Sequence, residues 1–376
     1  MLVNTDKSKC CGCGACAQRC SQNSITLHED KEGFLYPQIN MESCIDCGLC
    51  ERVCPSINQF EPVEPLNTFA ARNRNEQQRL CSSSGGIFVL LAEYIIKKGG
   101  IVFGAIFDKN WEVKHHGIDS LNQISSLMGS KYVQSRIGNS YKEAELYLKQ
   151  GKQVMFTGTP CQIVGLKKFL RKEYSNLLTV DIICHGVPSP SIWRDYVSSI
   201  CKDTEITNIN FKDKSTGWSR YSIKINFQNR KQIKERASCN PYMRGFFANL
   251  YLRPSCYACS SKNGQSNSDI TLGDFWGLKD ATEITDDKLG TSLVLVFSQK
   301  GIDILEKLDC ELIKTDFDKS IAENSCFKQS TNKPLARDLF FEEFTQKGWS
   351  VIEKYAPLKR IPIWVKVLQK IKQIHK

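Results

Sequence analysis

The chain has 376 residues, 18 cysteines and a formal net charge of +11. That length gives room for a small module and two further lobes, and no apolar run approaches the length of a helical membrane span. Nucleic-acid binding is not implied by the charge, because Lys359, Arg360, Lys366, Lys370, Lys372 and Lys376 supply six positive charges in a tail where nothing acidic follows Glu353. Residues 1–9 hold no apolar core for an export signal, so the cysteines point to a reducing, cytoplasmic setting.

Eight cysteines fall in the first 54 residues as Cys10-x2-Cys13-x2-Cys16-x3-Cys20 and Cys44-x2-Cys47-x2-Cys50-x3-Cys54-Pro55. This is the spacing of cubane iron–sulfur ligands in bacterial ferredoxins. A tight loop with two intervening residues presents three thiolates to one cube, while the thiolate after the three-residue gap reaches the other. The spacing assigns Cys10, Cys13, Cys16 and Cys54 to one 4Fe-4S cluster, and Cys20, Cys44, Cys47 and Cys50 to the second. Zinc sites and disulfide frameworks are the rivals, and the crossed spacing argues against both. The first run departs from the pattern in having Ser21 where proline is usual and in carrying an extra Cys11. Between the runs, segments 24–27 and 34–37 flank a charged turn and read as a hairpin.

Residues 61–78 are polar, contain Pro62 and Pro65, and read as a linker. Ser83-Ser84-Gly85-Gly86 leads into a helix over 87–96 and a strand over 101–107. Free N–H groups at such a helix start suit a phosphate, and capping by Ser84 is the ordinary alternative. A strand over 154–156 runs through Thr157-Gly158-Thr159-Pro160 into a helix that begins with Cys161, where a thiol is easily ionised. Another strand, 177–183, ends at Cys184-His185-Gly186, before a helix starting near Ser191. Parallel pairing of these strands would put both cysteines on the sheet edge where ligands collect. Cys256-x2-Cys259 lies between an aromatic helix over 242–252 and a strand over 269–272; on spacing alone it is equally half a zinc site or a redox dithiol.

Five segments carry a resemblance: Ser83-Ser84-Gly85-Gly86, Gly129-Ser130-Lys131-Tyr132-Val133-Gln134, Gly158-Thr159-Pro160-Cys161-Gln162, Cys184-His185-Gly186, and Cys256-x2-Cys259 up to Gly273-Asp274-Phe275-Trp276-Gly277. In this order they resemble the family of coenzyme F420 hydrogenase/dehydrogenase beta subunits, in a bacterial form with an N-terminal two-cluster ferredoxin module. The resemblance implies an FAD held by Ser83, Ser84, Gly85, Gly86, Lys131, Tyr132, Gln134, Gly158, Thr159, Pro160, Gln162 and Asp274. It also implies a third 4Fe-4S cluster on Cys161, Cys184, Cys256 and Cys259, with Cys239 as the rival for a ligand position. Lys131 is the candidate for contact with the flavin, Gln162 for its ring edge and His185 for a proton donor. The other six cysteines default to small apolar residues.

The expected fold is a multidomain α+β and α/β protein. A ferredoxin-like module over 1–60 and the linker precede an α/β FAD-binding lobe over 79–205, an α+β C-terminal lobe over 206–345 and a basic amphipathic tail over 346–376. Ile361, Trp364, Val367, Leu368, Ile371 and Ile374 recur at helical spacing, which suits peripheral contact with anionic lipid or docking on the protein itself. The expected function is an iron–sulfur flavin oxidoreductase: a ferredoxin or other donor supplies electrons, and FAD exchanges hydride with coenzyme F420 or another small molecule, with polysaccharide synthesis as one setting. The alternative is an electron-transfer subunit of a larger complex, with no substrate site of its own. Lys212, Lys214, Arg220, Arg230, Lys231, Lys234, Arg236 and Arg253 are candidate attractors of an anionic ligand.

Overall fold

The computed structural model describes residues 6–201 and 204–358. The module at its start is built on the hairpin of β1 (Ile25–Glu29) and β2 (Leu35–Ile39), with Ile25 opposite Ile39. Its two short helices, Ala15–Arg19 and Leu49–Arg52, each begin at a glycine in the left-handed region, Gly14 (φ 74°) and Gly48 (φ 68°). Each cysteine loop turns there, and a side chain would be strained.

The remaining strands are β3 (Asn67–Asn73), β4 (Ile101–Phe107), β5 (Val113–Ile118), β6 (Val154–Gly158), β7 (Leu177–Ile182), β8 (Ile206–Asp213), β9 (Ser222–Phe227), β10 (Gln232–Arg236), β11 (Ile270–Asp274), β12 (Ser292–Val296) and β13 (Cys310–Lys314). Eight of them form one sheet in the order β13-β3-β12-β11-β7-β6-β4-β5. Neighbours among β4, β6, β7 and β11 pair in parallel, and the other pairs are antiparallel. The central strands are mostly apolar, as burial on both faces favours, with Thr179, Asp181 and Thr271 as buried polar exceptions; all five residues of β12 are buried.

Helix Ile87–Lys97 covers one face through Ile87, Leu91 and Ile95. Helices Ser140–Lys149 and Pro160–Leu170 cover the other, in a cluster that also holds Cys13, Ala15 and Val53 of the N-terminal module. Beside the large sheet, β10-β9-β8 forms a three-stranded antiparallel sheet. It packs with helices Pro190–Ile200, Pro241–Phe247 and Arg337–Lys347 around Trp193, Tyr196, Phe211, Tyr242 and Phe340, joined by Phe34 and Tyr36 of the hairpin. The N-terminal module therefore touches both layers of the body.

Several expectations change. Residues 61–78 are not simply a linker, because β3 lies inside the large sheet between β12 and β13, with Ala71 opposite both Ser292 and Leu312. Its alanines are weak strand formers and its ends are polar, so only the partners on either side make it a strand. For the same reason the boundary between 205 and 206 does not divide the large sheet: β11, β12 and β13 complete the sheet that holds β4 to β7, and only β8 to β10 form a sheet of their own within 206–345. The aromatic helix ends at Phe247, and Asn249 (φ 59°) breaks it. Within the expected tail, Trp349, Val351, Ile352 and Ala356 pack into the aromatic core, whereas Ile361 to Ile374 lie outside the described residues. Among the described residues, no helix is long and apolar enough to cross a membrane.

Candidate redox site

The cysteines of the N-terminal module lie close together. The Cys16 thiol has Cys10, Cys54 and Cys50 as neighbours, and Cys13 has Cys16 and Cys54. Cys20, Cys44, Cys47 and Cys50 line a second cleft with Ile25, Ile39, Ile45 and Leu49. Cys13 packs into the body's core and Cys47 is exposed, the other six being half-buried, so the first set meets the body through Cys13 and the second opens to solvent at Cys47. None of the 18 cysteines is in a disulfide. Among the described residues, no group of three or more His, Cys, Asp or Glu side chains is arranged around a single metal ion. Two separate sets of four soft thiol donors fit iron–sulfur clusters.

A third set is assembled by the large sheet. Cys161 stands in the first turn of helix Pro160–Leu170, which opens with Pro160 and a capping box between Thr159 and Gln162. Cys184 follows β7, while Cys256 lies in the turn Pro254–Ala258 and Cys259 directly after it. Because β6 and β7 are parallel neighbours, Cys161 and Cys184 both follow their carboxyl ends, and the Pro188–Leu252 bridge with the bond from Arg253 N–H to the Val187 carbonyl brings Cys256 and Cys259 to the same edge. Cys184 has Cys256, Cys161 and Cys259 around it. Burial and the neighbouring Cys259 and Cys161 push the Cys256 thiol up to about 12, against a hydrogen bond from Val187 N. Thiols held neutral by their surroundings would become thiolates on a cluster, whose iron would supply the compensating charge. Cys239 is exposed.

The unexpected Cys11 joins the two regions: its thiol lies beside those of Cys13 and Cys161. Close packing fixes this junction, since a Cβ on Gly165 would lie 2.8 Å from Cys13 Cβ and 2.8 Å from the Tyr141 hydroxyl. Gln134, expected at the flavin, is spent here. Its Nε2 donates to the Cys11 carbonyl (3.0 Å) and its Oε1 accepts from Arg253 (3.0 Å).

The segments expected to hold FAD meet only in part. Ser83 Oγ accepts from the Ser130 backbone N–H at 2.7 Å and lies 2.9 Å from its hydroxyl, which places the serine-glycine turn beside Lys131 and Tyr132. Lys131 donates to the Met128 carbonyl (3.0 Å) and to no carboxylate, and burial pushes its ammonium down to about 7. Ser84 does not cap the helix; its hydroxyl donates to the Thr291 carbonyl, and the cap is Gly86, with no side-chain bond. Gly85 packs so tightly that a Cβ would lie 2.3 Å from the Ala71 carbonyl oxygen.

Gln162 is engaged by the capping box and by the Ser135 carbonyl rather than left for a ring edge. Tyr132 is set edge-on against Phe211 (5.5 Å), and its carbonyl accepts from Tyr242 (2.6 Å). Asp274 pairs with Lys212 at 2.5 Å. Lys214 is also turned inward, onto the carbonyls of Arg79, Ser84 and Leu289 (2.7 Å each). Neither lysine is therefore free to attract an anionic ligand. His185 is held between Asn249 Oδ1 (2.6 Å) and Cys326 Sγ (3.4 Å).

Sequence reasoning missed four residues here. Cys326 faces His185, and Lys262 donates to the carbonyls of Cys184 and Cys326. His115, beside the Thr157-Gly158 turn, is held by Ser135 Oγ (2.5 Å) and the Thr157 carbonyl (2.9 Å), and burial pushes its ring down to about 4, so it is neutral. Cys11 alone had a signal in the sequence, its intrusion into the ferredoxin spacing.

Asp181, buried on β7, accepts from Thr271 Oγ1 (2.5 Å), and burial pushes its carboxyl up to about 6 from an ordinary 3.8. The folded chain thus holds this proton more tightly than the unfolded one. Stability is highest below the unfolded value and falls as pH rises through 6, by about 3 kcal/mol at 1.36 kcal/mol per pH unit. Asp181→Asn is expected to gain on the parent in thermal midpoint as pH rises from 5 to 7. An advantage that stayed constant across that range would refute the assignment.

Comparison with known proteins matches two regions of the chain. The family model for the C-terminal region of the coenzyme F420 hydrogenase/dehydrogenase beta subunit matches residues 151–316, and that of the 4Fe-4S dicluster domain matches residues 9–58. One subunit of the F(420)H(2) dehydrogenase of Methanosarcina mazei is 24% identical over 215 residues, 54% of this chain and 60% of that protein. The coenzyme F420-dependent sulfite reductase of Methanocaldococcus jannaschii is 25% identical over 188 residues, 49% of this chain and 28% of that protein. The chain thus spans less than two thirds of either relative. A chain of the F420-reducing [NiFe] hydrogenase complex from Methanosarcina barkeri superposes with a TM-score of 0.45 at 19% identity, covering 77% of this chain and 91% of that one. The chain is an iron–sulfur protein that carries a 4Fe-4S dicluster domain in front of the C-terminal domain of coenzyme F420 hydrogenase/dehydrogenase beta subunits.

Proposed function

We propose that the chain is an electron-transfer subunit of an F420-related oxidoreductase complex. Its residues lay out a route from the solvent-facing Cys20, Cys44, Cys47 and Cys50, through Cys10, Cys13, Cys16 and Cys54, to Cys161, Cys184, Cys256 and Cys259. The observation that carries this reading is the packing of Cys13 against Gly165, one turn after Cys161 on the same helix, with the Cys11 thiol beside both cysteines. A ferredoxin module that only stored electrons would not need its buried loop pressed against a third thiol set. Bound at these sets, 4Fe-4S clusters pass single electrons. The relative that is itself one subunit of an F420H2 dehydrogenase favours a separate catalytic partner, with a ferredoxin or another redox protein as electron donor or acceptor.

A second reading keeps the substrate on this chain. It rests on the Ser83–Ser130 contact and on Lys131, an amine paired only with main-chain carbonyls. These donors fit an anionic or carbonyl-bearing group such as FAD. A bound flavin accepts one or two electrons and exchanges hydride with an organic partner. Here Lys131 would hold the ring or its phosphates, Ser83 and Ser130 would orient them, and neutral His115 would brace the Thr157-Gly158 turn.

The test is to reduce the anaerobically purified protein and to offer coenzyme F420, with and without a candidate catalytic subunit. Reoxidation only when the partner is present is the expected result. Reoxidation by F420 alone would overturn this reading in favour of a self-contained reductase.

A further inference from the structure

Arg253 is completely buried, at 0% exposure, yet none of its partners is a carboxylate. Its Nε donates to the Cys10 carbonyl (2.7 Å), Nη1 to Gln134 Oε1 (3.0 Å), and Nη2 to the Leu35 carbonyl (2.9 Å) and toward Cys10 Sγ (3.6 Å). The guanidinium lies 4.3 Å over the Tyr36 ring. Tyr36 is itself 7% exposed, and its hydroxyl has no hydrogen-bond partner. A buried cation is expensive unless an anion lies against it. The anionic candidates around Arg253 come from two cysteine sets: Cys10 from the first and Cys256 from the third, with Cys11 between them. None of the Arg253 hydrogen bonds reaches Cys20, Cys44, Cys47 or Cys50.

We propose that Arg253 is a positioning residue for electron transfer, the counter-charge shared by the first and third cysteine sets. The inference rests on the reading of those sets as cluster ligands. A cluster gains one negative charge with each electron, and net charge and hydrogen bonding to the sulfurs set its potential. A fixed positive charge between two clusters stabilises their reduced forms and leaves the solvent-facing second cluster nearly unaffected. One electron delivered by an outside redox protein to the second set is thereby drawn inward, and no bond is made or broken. The same guanidinium explains Gly12, where a Cβ would lie 2.7 Å from Arg253 Nη1.

The experiment is an EPR-monitored redox titration of the full chain, the parent beside Arg253→Gln and Arg253→Lys, with iron measured in each. Arg253→Gln is expected to keep its iron and to lower the potentials of the first and third clusters by a tenfold change in their reduction equilibria, about 59 mV for a one-electron couple. The second cluster should stay at its parental value, and Arg253→Lys, which keeps the charge, should restore most of the shift. Equal potentials in all three proteins, or equal shifts in both variants, would overturn the proposal. If Arg253→Gln sheds iron, Arg253→Lys decides: retained iron with near-parental potentials supports the charge, and loss of iron there too shows a mere clamp. About eight irons in the parent, instead of the about twelve of three four-iron clusters, would instead defeat the reading of the third set.

Discussion

Cys161→Ala is expected to purify with about eight irons in place of about twelve, because one of three four-iron clusters loses a ligand. Cys161 is the right position for this test because it is the member of the third set nearest the ferredoxin module, touching Cys11. Its removal should leave the spectra of the first two clusters intact, since their own eight cysteines are unchanged. Electrons put into the module by dithionite should then stay there, and reduction of any acceptor that depends on the third set should fall by orders of magnitude. Cys239→Ala, at an exposed position, is expected to keep about twelve irons. If Cys161→Ala kept its full iron while Cys239→Ala lost about four, the third set would have to be redrawn around Cys239.

Arg337→Ala is expected to produce the largest loss of stability, about 3–5 kcal/mol, the cost of breaking a buried ion pair from one side. Arg337 opens helix Arg337–Lys347 and grips Glu32 with both nitrogens, Nη2 to Oε2 at 2.6 Å and Nη1 to Oε1 at 3.2 Å. The side chains are only 4% and 14% exposed, so the remaining carboxylate would be stranded away from water. The guanidinium also bonds the Leu252 carbonyl (3.0 Å) and lies 4.6 Å from the Phe341 ring. Glu32 sits in the hairpin turn of the ferredoxin module, and Ser189 donates to its carbonyl as well. The variant should therefore unfold at a lower temperature and be cut by protease in the segment joining module and body. A double variant with Glu32→Gln should recover part of the loss. Parental stability in the single variant would mean that the pair contributes nothing.

What was legible in the sequence was mostly local. Cysteine spacing reports the geometry of a loop, so the two ferredoxin sets could be separated before any fold was known, as could the hairpin between them. Strand-end cysteines could likewise be placed on one edge once β6 and β7 were taken as parallel. The illegible parts depend on distant partners. Arg253 reads as one more surface charge until Cys10 and Leu35, more than 200 positions earlier, close over it. Gln134 and Gln162 look like free amides in family motifs, yet one bonds the Cys11 carbonyl and the other its own helix start. Lys212 and Lys214 read as a basic patch because the carboxylate and carbonyls that receive them come from other segments.

The position of β3 bears on how the chain reaches this state. Residues 67–73 leave the synthesis machinery early, but their ladder partners, 292–296 and 310–314, follow more than 200 residues later. Pairings this distant are slow to form, and until then the segment is an unsatisfied strand joined to a module full of reactive thiols. The nascent chain is thus exposed to aggregation until those partners emerge, and loading iron onto the first two cysteine sets during translation would give it an early folded anchor.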